Sequence, residues 1–359
     1  MLRIALDLTA LRHAVTIYTG EWRGDKPKGL NVVLLPVKGL FNHQRHQYLI
    51  DAMLNAVKQT PVDFVVGFNR MSGLDAYYAA DPCFMARAKE ERGWWYRFSG
   101  RYRFFAKTER EVFAADSDCK ILVLTPREKA VFQYWYQTPA ERFYALPPNI
   151  PVARFSGLDK AIARKQLRTE FNLPADAQVL LTVGSAFVRK GLDRLIIALA
   201  QLPEAQRLKT WIVAVGEDKP EPMYNIADKH QVRSQLIIAG ARNDVPNIML
   251  GADVFVHPAR SELAGLVIIE AMTAGLPVVV TENCGYAPHV AEANAGIVLP
   301  EHNAQAVLNS TLPILLGDHT ALAQFGVSGQ AYTQRITETT SPHKEADLLI
   351  AFATAQTSR

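Results

Sequence analysis

Two glutamates with seven residues between them flank a glycine in Ser261-Glu262-Leu-Ala-Gly265-Leu-Val-Ile-Ile-Glu270. The pattern predicts a loop carrying Glu262 that feeds a helix starting at Gly265. Free N–H groups at a helix start attract anions, and glycine lets a ligand approach the backbone closely. Glu270 falls about a turn and a half into that helix, where a carboxylate can accept hydrogen bonds from vicinal hydroxyls. Gly275 reads as the helix cap and Pro277 as its stop. Either acid alone reads as an exposed or capping group; the signal is the pair around a glycine.

A second cluster lies in Val179-Leu-Leu-Thr-Val-Gly184-Ser-Ala-Phe-Val-Arg189-Lys190-Gly191. A strand is expected to end at Gly184, and a helix to begin near Gly191. Adjacent cations at the C-terminal edge of a parallel strand suit a diphosphate. Arginine can grip two oxygens at once, while lysine is a compact point charge.

Metal chemistry is weaker in the sequence. Asp116-Ser-Asp118 offers hard oxygen ligands, but the pair precedes the apolar run Lys120–Leu124, where a turn is expected. His43 and His46 lack an evident third ligand. No metal and no cofactor are expected. Cys83, Cys119 and Cys284 lie far apart with no C-x-x-C, which fits a reducing compartment. No strand–G-x-G-x-x-G–helix is present, which disfavours a dinucleotide oxidoreductase.

Between Arg87 and Arg110 stand eight cations, three acids and seven aromatics. Read as one helix, Trp95, Phe98, Tyr102 and Phe105 share a face, with most cations around it. A basic helix with an aromatic face suits an anionic membrane surface. The alternative is a stripe packed on a sheet with solvated cations. Nucleic acid is not expected, because no RNA-binding motif accompanies the cluster. The net charge of the whole chain is only +4, which excludes a histone-like polyanion binder.

These groups need elements to hold them. The 359 residues exceed what one core usually serves, so two domains are expected. Continuous apolar runs alternate with helical patterns: Phe64–Val66, Lys120–Leu124, Val179–Val183, Trp211–Val215, Leu236–Ala239, Asp253–Val256 and Pro277–Thr281. That alternation implies an α/β fold with parallel sheets covered on both faces. Leu146-Pro-Pro-Asn-Ile-Pro151 is too stiff for helix or central strand and marks the domain break. No run of about 18 apolar residues exists to span a membrane, and Asp7 and Arg12 interrupt the stretch a signal peptide would need.

The glutamate pair, with His257-Pro258 before it and Gly275-Leu-Pro-Val-Val after it, resembles the donor-site signature of retaining GT-B glycosyltransferases. Val183-Gly-Ser, Val215-Gly216 and Gly240-Ala-Arg-Asn-Asp244 look like companion motifs. Val66-Gly-Phe-Asn69, Tyr78-Ala-Ala-Asp81-Pro-Cys83, Arg97-Phe-Ser-Gly-Arg101 and Leu146-Pro-Pro-Asn-Ile150 extend the likeness to the bacterial lipopolysaccharide core glucosyltransferase I family. The likeness covers nearly the whole chain after about His13.

The resemblance implies two Rossmann-like domains facing across a cleft. Residues 1–150 would form the acceptor side, with the C-terminal helix, about 340–359, packing back on it. Residues 151–339 would bind the nucleotide sugar. It further implies UDP-glucose as donor, an inner-core heptose of lipopolysaccharide as acceptor, retained configuration, and a place on the cytoplasmic face of the inner membrane. Glu270 would hold the ribose and Glu262 a donor-sugar hydroxyl. Arg189 and Lys190 would neutralise the diphosphate, helped by Gly184 and by backbone at Gly265, Leu266 and Val267. Arg242 would edge the uracil, and Asp81 would sit close to the anomeric carbon. The other readings are a sugar-nucleotide- or membrane-binding protein without turnover, and a UDP-sugar epimerase of the same fold.

The beginning departs from the family. Leu2–Leu6 reads as a first strand and His13–Thr19 as a second, with only Asp7 to Arg12 between them. Neighbouring parallel strands need a crossover of about a dozen residues. The first domain is therefore expected to lack its first glycine loop and helix, with catalysis weakened or lost and donor binding by the second domain largely kept.

Overall fold

The structure is a computed structural model and describes residues 1–357. The chain divides into two compact units: Met1–Leu146 joined by the stretch from Ser341 onward, and Pro147–Thr340.

The second unit is built on six parallel strands, β7 (Gln178–Val183), β8 (Thr210–Val215), β9 (Leu236–Ile238), β10 (Val254–His257), β11 (Val278–Thr281) and β12 (Gly296–Leu299). The sheet order is β12-β11-β10-β7-β8-β9, with Gln178 paired to Thr210 and Val183 to Val215. Strands β10 and β11 are buried at every position, so both sheet faces are covered. Chain order reverses between β7 and β10. The loops leaving these two strands therefore diverge, and an open α/β sheet binds ligands outside the carboxyl ends of its strands at such a point.

The first unit holds β1 (Thr16–Thr19) paired to β2 (Asn31–Leu34), and a separate parallel sheet β3-β4-β5-β6. The latter strands are Val66–Gly67, Ala76–Ala79, Lys120–Val123 and Phe143–Ala145. The C-terminal helix Lys344–Thr357 belongs to this unit and packs Leu349 and Phe352 with Ala76, Leu122 and Leu146.

Two expectations are overturned. Leu2–Ala10 is a helix, not a strand. Its apolar residues at 4, 5 and 8 follow a helical period: Ile4 packs with Leu122 and Leu349, with Leu8 beside it, and Ala5 meets Ile17 and Val32. A helix that leads into β1 needs no strand-to-strand crossover at this point. The segment 87–110 is likewise not one helix. It breaks into Phe84–Glu91, a 3₁₀ turn Trp94–Phe98, and Gly100–Phe113. Ser99 is extended and caps the last helix by accepting a hydrogen bond from the Tyr102 amide at 3.1 Å. The expected stripe splits accordingly. Tyr102 and Phe105 pack on Phe84 at 5.8 and 5.6 Å, while Trp94, Trp95 and Phe98 are 54, 69 and 56% exposed.

Candidate functional site

The loop after β7 carries Gly184 and turns through Phe187–Lys190 into the helix Leu192–Ala200. Gly191 joins the two at φ +80°, and a Cβ there would lie 2.1 Å from the Pro258 carbonyl oxygen. Only glycine lets the loop after β7 press this closely on the end of β10. The Arg260 amide donates to the Arg189 carbonyl at 2.8 Å, and the Arg189 guanidinium donates to the Ser261 carbonyl at 3.0 Å. The loop after β10 is fixed on its other side by Gly285 N–H to Glu262 and Tyr286 N–H to Ala264, at 3.0 and 2.7 Å.

This lacing brings the predicted charges together. The Lys190 ammonium contacts the Glu262 carboxylate, both side chains being mostly buried. Burial and then the neighbouring Arg189 pull Lys190 down to about 8; the Glu262 carboxylate in contact acts in the opposite direction. His257, at the end of β10, is fully buried, stacks on Phe255 and lies 3.5 Å from Glu262. Burial first, then Lys190 and Arg189, lowers it to about 3, so it is neutral at physiological pH.

The helix Leu266–Thr273 starts beside this cluster, and no side chain caps it. Its first amides are therefore free for a ligand. Gly265 stands at φ +88°, and a Cβ there would meet Ile268 at 2.8 Å and the Glu262 stem at 3.1 Å. Leu266 is exposed and Val267 half-buried, so the helix start is open to solvent. Glu270 is buried within the same helix and pairs with Arg154, from the 3₁₀ turn Val152–Phe155. Burial pushes the Glu270 carboxyl up, and Arg154 pulls it back. Arg242 donates to both oxygens of Asp244 at 2.8 Å and also to Glu170. Those bonds raise the Arg242 guanidinium and lower the Asp244 carboxyl.

Lys190, Glu262, His257, Arg189 and the helix start thus form one group, with Gly184 at the foot of the same loop. Asp81 lies in the other unit, exposed on the turn after β4. Arg70 fixes that turn by donating to the carbonyls of Asp81 and Pro82 at 2.8 and 2.7 Å. Asp116 and Asp118 lie in the turn before β5. Among the described residues no group of three His, Cys, Asp or Glu side chains is placed to hold a metal.

Two important partners were not read from the sequence. Arg154 follows the proline run as one cation among many. Glu109 reads in sequence as one charge of the basic segment, yet it is fully buried. It accepts from the amides of Phe84 and Met85 at 2.7 and 3.0 Å, from the Tyr136 hydroxyl at 2.6 Å, and pairs with Arg70 at 2.7 Å. Its spacing with Phe105, Val112 and Phe113 places it on the inward helix face, a signal that could have found it.

Chemically, the second unit offers two cations and free helix amides at a sheet switch point, with a buried carboxylate farther along the helix. That is a seat for an anion joined to a hydroxyl-bearing group. Residues 163–324 match the family of glycosyl transferases, group 1. The chain is 40% identical over 348 residues to the lipopolysaccharide glucosyltransferase WaaG of Escherichia coli K12, covering 97% of this chain and 93% of that one. A crystal structure of WaaG matches with a TM-score of 0.85 at 40% identity, covering 97% and 94% of the two chains. Sucrose-phosphate synthase of Thermosynechococcus elongatus shares the fold at a TM-score of 0.71 and 18% identity, over 93% and 87%. With the switch-point site and this likeness along nearly its whole length, the chain belongs to the GT-B glycosyltransferases of group 1, among those of lipopolysaccharide core assembly.

Proposed function

We propose that the chain transfers glucose from UDP-glucose to an inner-core heptose of lipopolysaccharide with retention of configuration. The observation that carries this reading is the joining of Lys190, Arg189, Glu262 and the uncapped start of Leu266–Thr273 at the carboxyl ends of β7 and β10. Cleavage of the sugar–phosphate bond builds negative charge on UDP and positive charge on the anomeric carbon. Arg189, Lys190 and the amides at Gly265, Leu266 and Val267 stabilise the first, without a metal. Glu270 accepts hydrogen bonds from the ribose and Glu262 from a donor-sugar hydroxyl, while Arg242 edges the uracil. Asp81 stabilises the developing cation or orients the acceptor hydroxyl, whose proton leaves with the departing phosphate.

Lys190 must then exchange Glu262 for phosphate, and Glu270 must exchange or share Arg154. The decisive assay is UDP release from a panel of UDP-sugars, with and without a heptose-containing acceptor. Release that needs both UDP-glucose and acceptor supports the reading. Tight UDP binding without turnover would replace it with a binding protein, and epimerised donor without acceptor would replace it with an epimerase.

The work site is the anionic inner face of the bacterial inner membrane, reached through the segment Arg87–Arg110. The support is the exposure of Trp94, Trp95 and Phe98 beside Arg97. No helix among the described residues is long and apolar enough to cross a membrane. Replacing Arg97 and Arg103 by glutamine should weaken partition onto anionic vesicles by about 1 kcal/mol for each charge. Equal partition of variant and parent would remove this part of the reading.

A further inference from the structure

A pocket of about 270 Å³ lies wholly within the first unit, beside the Asp81 turn. Arg87, Arg92 and Arg101 line it, with His46 and the rings of Phe104 and Phe105. Its chemistry is lopsided. Asp81 is the single acid on its wall, and Arg70, the remaining cation, is already committed to the buried Glu109. Arg92 lies over the Tyr96 ring at 5.7 Å and Arg101 over Phe105 at 5.3 Å. No carboxylate among the described residues pairs with either guanidinium.

Planar guanidinium groups recognise carboxylate and phosphate through paired hydrogen bonds. Ring edges and faces cover the apolar sides of a sugar. The volume suits one or two sugar units rather than a nucleotide. Burial, then Arg101 and Arg45, keep His46 below its ordinary range, so it presents a neutral imidazole at physiological pH rather than a further cation. Arg70 holds the Asp81 turn through backbone carbonyls, which leaves the Asp81 carboxylate at the pocket wall unengaged by that arginine.

We propose that this pocket seats an anionic group, carboxylate or phosphate, of the acceptor glycan close to the hydroxyl that receives the sugar. The inference rests on the glycosyl-transfer reading for the identity of the glycan. Recognition of the anion itself depends on the pocket alone.

The test is equilibrium calorimetry of the full chain with lipid-free, deacylated lipopolysaccharide core oligosaccharide and no UDP-sugar present. The parent oligosaccharide should bind at least about tenfold more tightly than one form, either its carboxyl-reduced or its dephosphorylated derivative, and that form identifies the anion. The variant R92Q/R101Q should lose at least about tenfold in affinity for the parent while keeping its affinity for UDP. Equal affinity for all three oligosaccharides, or no binding of the lipid-free parent, would overturn the proposal without recourse to a variant. Binding with this selectivity in a chain that transfers no sugar would instead sink the transferase reading and leave the pocket standing.

Discussion

The candidate donor site of the second unit and the pocket of the first treat charge in opposite ways. In the second, the charged side chains of the candidate donor site are largely matched inside the protein: Lys190 with Glu262, Glu270 with Arg154, Arg242 with Asp244 and Glu170. In the first, Arg92 and Arg101 reach a pocket with ring faces beside them and no paired carboxylate among the described residues. A matched site is stable when empty and admits only a ligand that offers better partners than those it displaces. An unmatched pocket attracts anions before contact and is more sensitive to salt. Binding by exchange thus contrasts with binding to cations that no described carboxylate holds.

The largest expected effect tests a matched and fully buried charge of the first unit, Glu109. Glu109→Ala would leave Arg70 buried without its carboxylate and should cost about 3–5 kcal/mol. Four of the five tryptophans, Trp22, Trp94, Trp95 and Trp135, belong to this unit. Urea unfolding followed by tryptophan fluorescence therefore reports mainly on it. A midpoint unmoved by the substitution would mean Glu109 does not organise the unit.

Next in size, Lys190→Ala should lower kcat for UDP-glucose by about 10²–10³-fold, the usual cost of losing one preorganised stabilising group. A rate within a few fold of the parent would show that exchange at Lys190 is irrelevant to the chemistry. A smaller effect separates the members of one ion pair. Glu270→Ala should weaken UDP binding about tenfold, whereas Arg154→Ala removes a competitor and should leave UDP affinity equal or tighter. Parallel losses in both variants would contradict exchange at this pair.

The smallest effect is a pH dependence. Burial and Arg189 lower Lys190 toward about 8, and a bound diphosphate favours its charged form. UDP affinity should therefore fall as pH rises through about 8, because the free protein is losing the proton that binding requires. Glu262→Gln removes the carboxylate that holds the charge on Lys190 and should move this fall to lower pH. A flat affinity from pH 7 to pH 9.5 would dismiss the titration.

The same contrast governs what could be read from sequence. In the second unit, the central strands β10 and β11 are short runs buried at every position, and Gly191, Gly265 and Pro277 mark close approaches and stops in one dimension. The first unit has strands of two to four residues, too short for a clear period. Helix Leu2–Ala10 reads as a strand in sequence because its apolar residues are dense enough to satisfy either pattern over five positions. Ser99-Gly100 carries a capping signal that breaks the single amphipathic stripe. The Arg154–Glu270 pair joins residues 116 apart, and no local pattern encodes such a partner.

The first unit closes with the far end of the chain. Arg3 pairs with Glu345, Phe352 lies against Tyr144 at 4.4 Å, and Gln356 donates to Asp75 at 2.8 Å. During synthesis, residues 1–146 emerge from the ribosome long before their last helix exists. The second unit, contiguous in the chain, can complete its core first. The first unit must wait with Ile4 and Leu122 uncovered, so a late stop codon is a lesion of the unit that was translated first.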